Sequence, residues 1–233
     1  MVPNLRGYET FASINEDCGQ RLNNNKLLDT LVMLTSCTET HSMENVNATI
    51  KESLKRNEAM VNQAKEDGVR TRAYASLAFG CPFDGKAKPE AVKEIVLSYL
   101  DWNVEEIVLA DTYGHATPDI TRSILTSVLE DKDVAKRLGK TVIGMHMHDA
   151  NHQAVDNIKM AVTEFGISSF DSAVGGCGGC NFIENAQGNV ATERLLQSLE
   201  SIGIRHSIDK KKLYKTNRYL SKILQRNLLL AED

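Results

Sequence analysis

Apolar residues along this chain recur in two alternating rhythms. Short β-branched runs at 27–34, 69–77, 106–110, 141–147 and 168–174 read as strands. Between them, apolar residues fall at helical spacing: Val46, Ile50, Leu54 and Val61; Val92, Ile95, Val96, Tyr99 and Leu100; Ile120, Ile124, Leu125 and Val128; Ile158, Ala161 and Val162. Pro89 and Pro118 stand where a first helical position tolerates a missing N–H, and Thr117 is placed to cap the second of these helices. A further helix is expected over 191–201. Residues 211–229 read as a C-terminal helical tail that turns Leu213, Leu220, Ile223 and Leu224 inward. Residues 1–5 suggest the tail of a strand, and the polar stretch 15–26 reads as a turn-rich loop.

Alternating strands and helices imply an α/β fold with a parallel sheet. The polar and unusual residues cluster just after the strands: Cys81 with Pro82, Asp111 with Thr112, His146 with His148 and Asp149, then a glycine run from Gly175. Ligands in parallel α/β architectures bind at the carboxyl ends of strands, so the chemistry is expected on one face. That one-sidedness suggests a TIM (β/α)8 barrel, but a whole barrel has eight strands in about 250 residues. The expectation is therefore a single, incomplete barrel domain over 1–233, with about five βα units, its first strands missing and the helical tail 205–233 part of the same domain.

Composition narrows the function classes. With 233 residues and 42% hydrophobic content the chain can bury one sizeable core. Its 27 basic and 31 acidic residues give a net charge of -4, and the longest basic cluster is Lys210, Lys211 and Lys212, so neither nucleic acid nor an anionic membrane is an expected partner. No apolar run has the length of a membrane span, and the first 25 residues lack the character of a signal or transit peptide. Five cysteines, at 18, 37, 81, 177 and 180, make an odd set that suits a reducing compartment better than a disulfide framework.

The most informative feature is His146-Met147-His148-Asp149 at the end of the fourth expected strand. Strand alternation sends both imidazoles to one face, which makes a shared metal natural; a pair of satisfied core or surface histidines is the plain alternative. Downstream lie Cys180 and Asn189. A donor set of imidazoles and an amide oxygen suits Mg2+ or Mn2+ better than a closed zinc site. Cys177 and Cys180 form one Cys-x-x-Cys, yet no second pair completes a zinc set. Four glycines in the six residues 175–180 describe a loop able to approach a ligand closely, or simply a flexible connection. A thiol on such a loop can act as an acid or base on closure.

The ordered motifs extend further: Met1-Val2-Pro3-Asn4-Leu5-Arg6-Gly7, Tyr74-Ala75-Ser76, Gly80-Cys81-Pro82-Phe83-Asp84-Gly85, Asp111-Thr112-Tyr113-Gly114, the His-x-His-Asp, Gly178-Gly179-Cys180 and Gly188-Asn189-Val190-Ala191-Thr192-Glu193. Together they resemble the 3-hydroxy-3-methylglutaryl-CoA lyase family of metal-dependent TIM-barrel lyases. The resemblance implies cleavage of 3-hydroxy-3-methylglutaryl-CoA to acetyl-CoA and acetoacetate, a step of leucine breakdown and ketone-body formation, with Mg2+ or Mn2+ as cofactor. It implies His146, His148 and Asn189 as metal ligands, Cys180 and His146 as catalytic groups, Tyr74 and Thr112 against the acyl-CoA substrate, and Asp111 and Asp149 as carboxylates orienting the histidines. For those two aspartates a helix cap is an equal alternative. A mitochondrial or cytoplasmic location and a homodimer also follow from the resemblance. Its alternatives are another metal-dependent acyl-CoA lyase or synthase on the same barrel, and an inactive truncated barrel.

The sequence departs from that family in three places. The family's first strand carries an Arg-Asp pair, and a Glu follows in the next unit; no counterpart of these is found here, because the first matching residues correspond to the end of a third strand. Residues 8–38 are longer than the family's turn there. Asn151-His152 replaces a common Tyr-Gly, with His152 read as a helix-surface residue or an added polar contact.

Overall fold

The structure, a computed structural model, describes residues 1–21, 29–86, 88–179 and 188–228. Its strands are β1 (Thr30–Ser36), β2 (Arg70–Ser76), the small hairpin β3 (Gly80–Cys81) and β4 (Gly85–Lys86), β5 (Glu106–Asp111), β6 (Val142–Met147) and β7 (Ser169–Asp171). Helices α1 (Leu5–Arg21), α2 (Glu39–Val46), α3 (Ile50–Glu66), α4 (Pro89–Asp101), α5 (Pro118–Leu129), α6 (Lys132–Leu138), α7 (Ala154–Phe165), α8 (Thr192–Ser201) and α9 (Lys210–Leu224) complete it. The main sheet runs β1-β2-β5-β6-β7, every neighbouring pair parallel. Each strand follows its predecessor in space, as in successive βα units of a barrel wall.

Alternation along the strands sorts the residues by face. Leu31 and Met33 of β1 and Ala73 and Ala75 of β2 are fully buried beneath the helices, whereas Val32, Leu34, Arg72 and Tyr74 on the other face are only half-buried. Parallel sheets are ordinarily covered on both faces. Here the inner layer is bridged by polar side chains. Arg72 of β2 donates from Nη2 to Asp171 Oδ1 of β7 at 2.8 Å, and Tyr74 donates its hydroxyl to Asp171 Oδ2 at 2.6 Å. Three strand spacings separate β2 from β7, roughly 14 Å across a flat sheet at about 4.8 Å per step. A tyrosine and an aspartate cannot span that gap, so these bonds require a sheet curled into a barrel-like wall. The fold is five consecutive units of a TIM-barrel wall, and among the described residues β1 and β7 each pair with one strand only.

Helix starts follow local chemistry. Thr49 and Glu52 form a reciprocal capping box at α3, Thr117 accepts the Ile120 N–H at α5 with Pro118 in the first turn, and Asp131 accepts from Asp133 and Val134 at α6. Asn47, at φ 47°, separates α2 from α3.

Several expectations need correction. The stretch 15–26 is helical as far as Arg21, because Tyr8, Phe11, Ala12 and Asn15 make an inward stripe at i, i+3, i+4 and i+7; Tyr8 also donates its hydroxyl to Asp67 at 2.6 Å. Residues 1–3 lie beside β1, with Val2 N–H donating to Val32 O at 2.9 Å, without forming a strand. The fifth strand is three residues long, and Val174–Gly176 is a 3-10 turn, since Gly175 adopts φ 62° and breaks the extended run. In α9, Leu213 and Asn217 point inward, but Ile223 and Leu224 are 57% and 44% exposed. The helix rests on α8 and the turn at 174–176.

Candidate active site

Both histidines stand at the carboxyl end of β6. His146 is half-buried and His148 buried, with ring centroids 5.2 Å apart. His146 Nδ1 lies 3.2 Å from Asp171 Oδ2, its neighbour in strand register. Asp171 was not legible as a site residue, although its place at the end of an expected strand is a signal that could have found it. Burial opposes its ionisation, yet hydrogen bonds from His146, Tyr74 and Arg72 outweigh that and hold its carboxyl at about 2. Burial, then the bond to Asp171, pushes the Tyr74 phenol up, so its proton stays on.

His148 faces Asn189 in an antiparallel bridge. Burial first, and then the neighbouring His146, lower the His148 imidazole to about 4, which leaves it neutral at pH 7. Among the described residues, His148 Nδ1 and Asn189 Oδ1 are both buried without a hydrogen-bond partner. Buried polar atoms are rarely left so, and two of them on facing residues beside a second imidazole have the chemistry of a divalent-cation site. Among the described residues no three His, Cys, Asp or Glu side chains cluster as a metal set.

The glycine run holds Asn189 in place. Asn189 Nδ2 donates to Cys177 O at 2.8 Å. A side chain at Gly178, φ 116°, would collide with that Nδ2, and one at Gly176 would come within 3.0 Å of Asn189 O. Close approach, rather than plain flexibility, is what these two glycines supply. Beneath them, the Glu193 carboxylate accepts from Gly175 N–H at 3.0 Å and from Asn217 Nδ2 at 2.6 Å, tying the turn to α9. Cys180, the expected thiol acid, lies outside the described residues.

The two aspartates expected to orient the histidines are engaged with backbone instead. Asp111 accepts from Gly114 N–H and Ala116 N–H, both at 2.9 Å, and fixes the loop between β5 and α5; burial exceeds those bonds and raises its carboxyl to about 6. Asp149 accepts from Ala154 N–H at 3.0 Å at the start of α7 and from Arg194 at 2.8 Å. Neither is a helix N-cap, since Thr117 holds that place at α5 and Gln153 at α7; the carboxylate that meets His146 is Asp171. His152 is exposed, with φ 60°.

One cavity of about 490 Å3 joins these groups: His146, Asn189, Tyr74, Thr112, Asp171 and His41 all line it. Thr112 Oγ1 shares a hydrogen bond with Ser76 Oγ at 2.8 Å. His41, buried with Nδ1 2.9 Å from Ser36 Oγ, was not singled out from the sequence. Gly114 supports His148 from behind: at φ 73°, an added Cβ would lie 2.9 Å from His148 Cβ and 3.0 Å from Ala150 N. Gly114→Ala is therefore expected to cost about 1–3 kcal/mol of stability and to shift the His148 ring resonances. Thermal unfolding and imidazole NMR spectra check both effects, and unchanged values in both would show that the contact is easily relieved.

A curled wall of βα units, with two imidazoles and an amide at the carboxyl end, defines the protein as a TIM-barrel protein with a candidate divalent-metal site. The HMGL-like family model matches residues 26–220, and the chain belongs to that family. It is 31% identical over 226 residues to the mitochondrial hydroxymethylglutaryl-CoA lyase of Homo sapiens, covering 97% of this chain and 64% of that protein. It is 33% identical over 228 residues to the cytoplasmic 3-hydroxy-3-methylglutaryl-CoA lyase of Danio rerio, covering 97% of this chain and 62% of that one. The chain thus spans a little under two thirds of the length of these relatives. Among solved structures, the HMG-CoA lyase of Brucella melitensis matches with a TM-score of 0.81 and 31% identity, over 96% of this chain and 72% of that one. An HMG-CoA lyase from Acinetobacter baumannii, solved with coenzyme A and 3-methylmalate, matches with a TM-score of 0.80 and 30% identity over 97% and 67%. Among the described residues no helix is long and apolar enough to cross a membrane.

Proposed function

We propose that this site serves the carbon-carbon cleavage of 3-hydroxy-3-methylglutaryl-CoA to acetyl-CoA and acetoacetate. The observation that carries the reading is the pair of buried, unpartnered donors on His148 and Asn189 beside His146. Relatives of that name and the solved complex with coenzyme A support the substrate class. His146, His148 and Asn189 would hold the ion, and their N/O character suits Mg2+ or Mn2+. When bound, such an ion makes a substrate hydroxyl more acidic and neutralises charge on a neighbouring carboxylate oxygen. Asp171 orients His146, and Tyr74, whose hydroxyl donates to Asp171, lines the acyl end of the cavity. Thr112 offers its hydroxyl to the same space. Cys180 would return a proton to the departing acetyl-CoA enolate, a role suited to a thiol next to a loop that approaches the ligand.

In a protein completed with the remaining barrel units, Cys180→Ser is expected to keep metal affinity and lose most turnover, whereas Cys177→Ser is mild. Measuring acetoacetate and bound Mn2+ for both variants tests the assignment. Equal, large losses of turnover and metal in the two would point to a shared Cys-x-x-Cys site instead. The function itself is tested by incubating the completed protein with the thioester and Mg2+ or Mn2+. Acetoacetate is the expected product, and its absence with metal bound would move the protein to another reaction of the same barrel.

A further inference from the structure

Four side chains on four strands, Glu106, Arg72, Asp171 and His146, form a chain of contacts ending at His146. Arg72 of β2 lies with Nε 3.0 Å from Glu106 Oε2 of β5, and its Nη2 donates to Asp171 Oδ1 of β7 at 2.8 Å. Its guanidinium also sits 5.2 Å from the centre of the Tyr74 ring. Ser169 donates to Glu106 Oε1 at 2.5 Å, so the glutamate at the base of the chain is itself fixed. Asp171 then receives Arg72 on one oxygen, and Tyr74 and His146 on the other.

Donor counting decides the rest. Arginine only donates, and an ionised carboxylate only accepts. Each Asp171 oxygen therefore faces donors alone, and His146 Nδ1 must carry the proton. We propose that Asp171 is a positioning residue that sets the tautomer of His146, and that Arg72 sets the orientation of Asp171, leaving Nε2 as the lone-pair nitrogen of the ring. The purpose of this arrangement rests on the metal reading, since a ligating histidine needs its second nitrogen committed elsewhere. The tautomer does not depend on any metal or activity.

The arrangement makes an unusual prediction for Asp171→Asn. The single amide oxygen is claimed by Arg72, whose facing Nη2 can only donate, and the amide NH2 is turned toward Tyr74 and His146. His146 Nδ1 must then accept, and its proton moves to Nε2. Removing the arginine as well, in Asp171→Asn with Arg72→Met, frees the amide to rotate and returns the proton to Nδ1. A merely structural aspartate predicts neither reversal.

Long-range 1H–15N correlation spectra of the metal-free protein at neutral pH read the tautomer directly. The wild type is expected to show one His146 species protonated at Nδ1, Asp171→Asn the opposite species, and the double variant the first again. Mn2+ affinity measured by calorimetry should fall about 10–100-fold in Asp171→Asn and recover partly in the double variant. A wild-type His146 protonated at Nε2 overturns the proposal, and this reading stands whether or not any variant folds. A folded Asp171→Asn that keeps the wild-type tautomer overturns it too. Failure to make acetoacetate would count against the lyase reading and leave the tautomer result untouched.

Discussion

Alanine in place of His148 is expected to abolish both metal binding and turnover in a protein completed with the remaining barrel units. His148 is buried and neutral, and among the described residues its Nδ1 has no hydrogen-bond partner. A group in that state is costly to bury unless something else satisfies it. With His146, His148 and Asn189 as the proposed donors, the loss of His148 removes one of the three that this chain supplies. The loss should therefore exceed the roughly 10–100-fold that changes in the partners of metal ligands produce. Calorimetric titration with Mn2+ and acetoacetate assays at saturating metal check it. Unchanged turnover would show that His148 is not a ligand. Because removing the imidazole also relieves an unpaired buried nitrogen, the metal-free variant should melt no lower than a well-packed core substitution would suggest.

The second large effect concerns the sheet. Among the described residues β1 and β7 each pair with one strand only, β1 receiving just the Val2 N–H at Val32 O on its other side, and Val32 and Asp171 on the inner face are half-buried. Unpaired strand edges and half-exposed inner residues invite association with other chains. The 233-residue chain by itself is expected to be poorly soluble or to dimerise through those edges. Adding a separately expressed segment with three further βα units from a relative should restore solubility and give one cooperative thermal transition. Sedimentation and calorimetry decide this. A monomer that melts sharply and ignores the segment would mean that the edges are satisfied in some other way.

Much of this was legible in the sequence, and the exceptions have physical causes. The parallel βα alternation survived because strands buried beneath helices must be apolar at every second position at least, as in Leu31 and Met33. The histidine pair was legible because strand alternation fixes its geometry with no knowledge of neighbours. Asp171 was not, because its importance lies in what reaches it across the curled sheet: Arg72 and Tyr74 are 99 and 97 residues away in sequence. α1 was misread because its polar residues outnumber its inward ones, although the stripe through Tyr8, Phe11 and Asn15 was present. In the tail, apolar character at Ile223 and Leu224 suggested burial, but burial depends on a packing neighbour that sequence does not show, and both are exposed. Asp111 and Asp149 illustrate a different limit: proximity to a motif cannot tell a carboxylate that holds a loop from one that orients a ligand, and only the hydrogen bonds separate them.

The proposed function places the metal donors of a lyase on His146, His148 and Asn189, at one end of five units of a barrel wall. It is tested most directly by assaying acetoacetate from 3-hydroxy-3-methylglutaryl-CoA with Mn2+, for the chain alone and for the chain combined with the three-unit segment. Little or no product from the chain alone, and clear metal-dependent product from the combination that is lost again in His148→Ala, is the predicted result. A combined protein that folds cooperatively and binds Mn2+ yet forms no acetoacetate would contradict it.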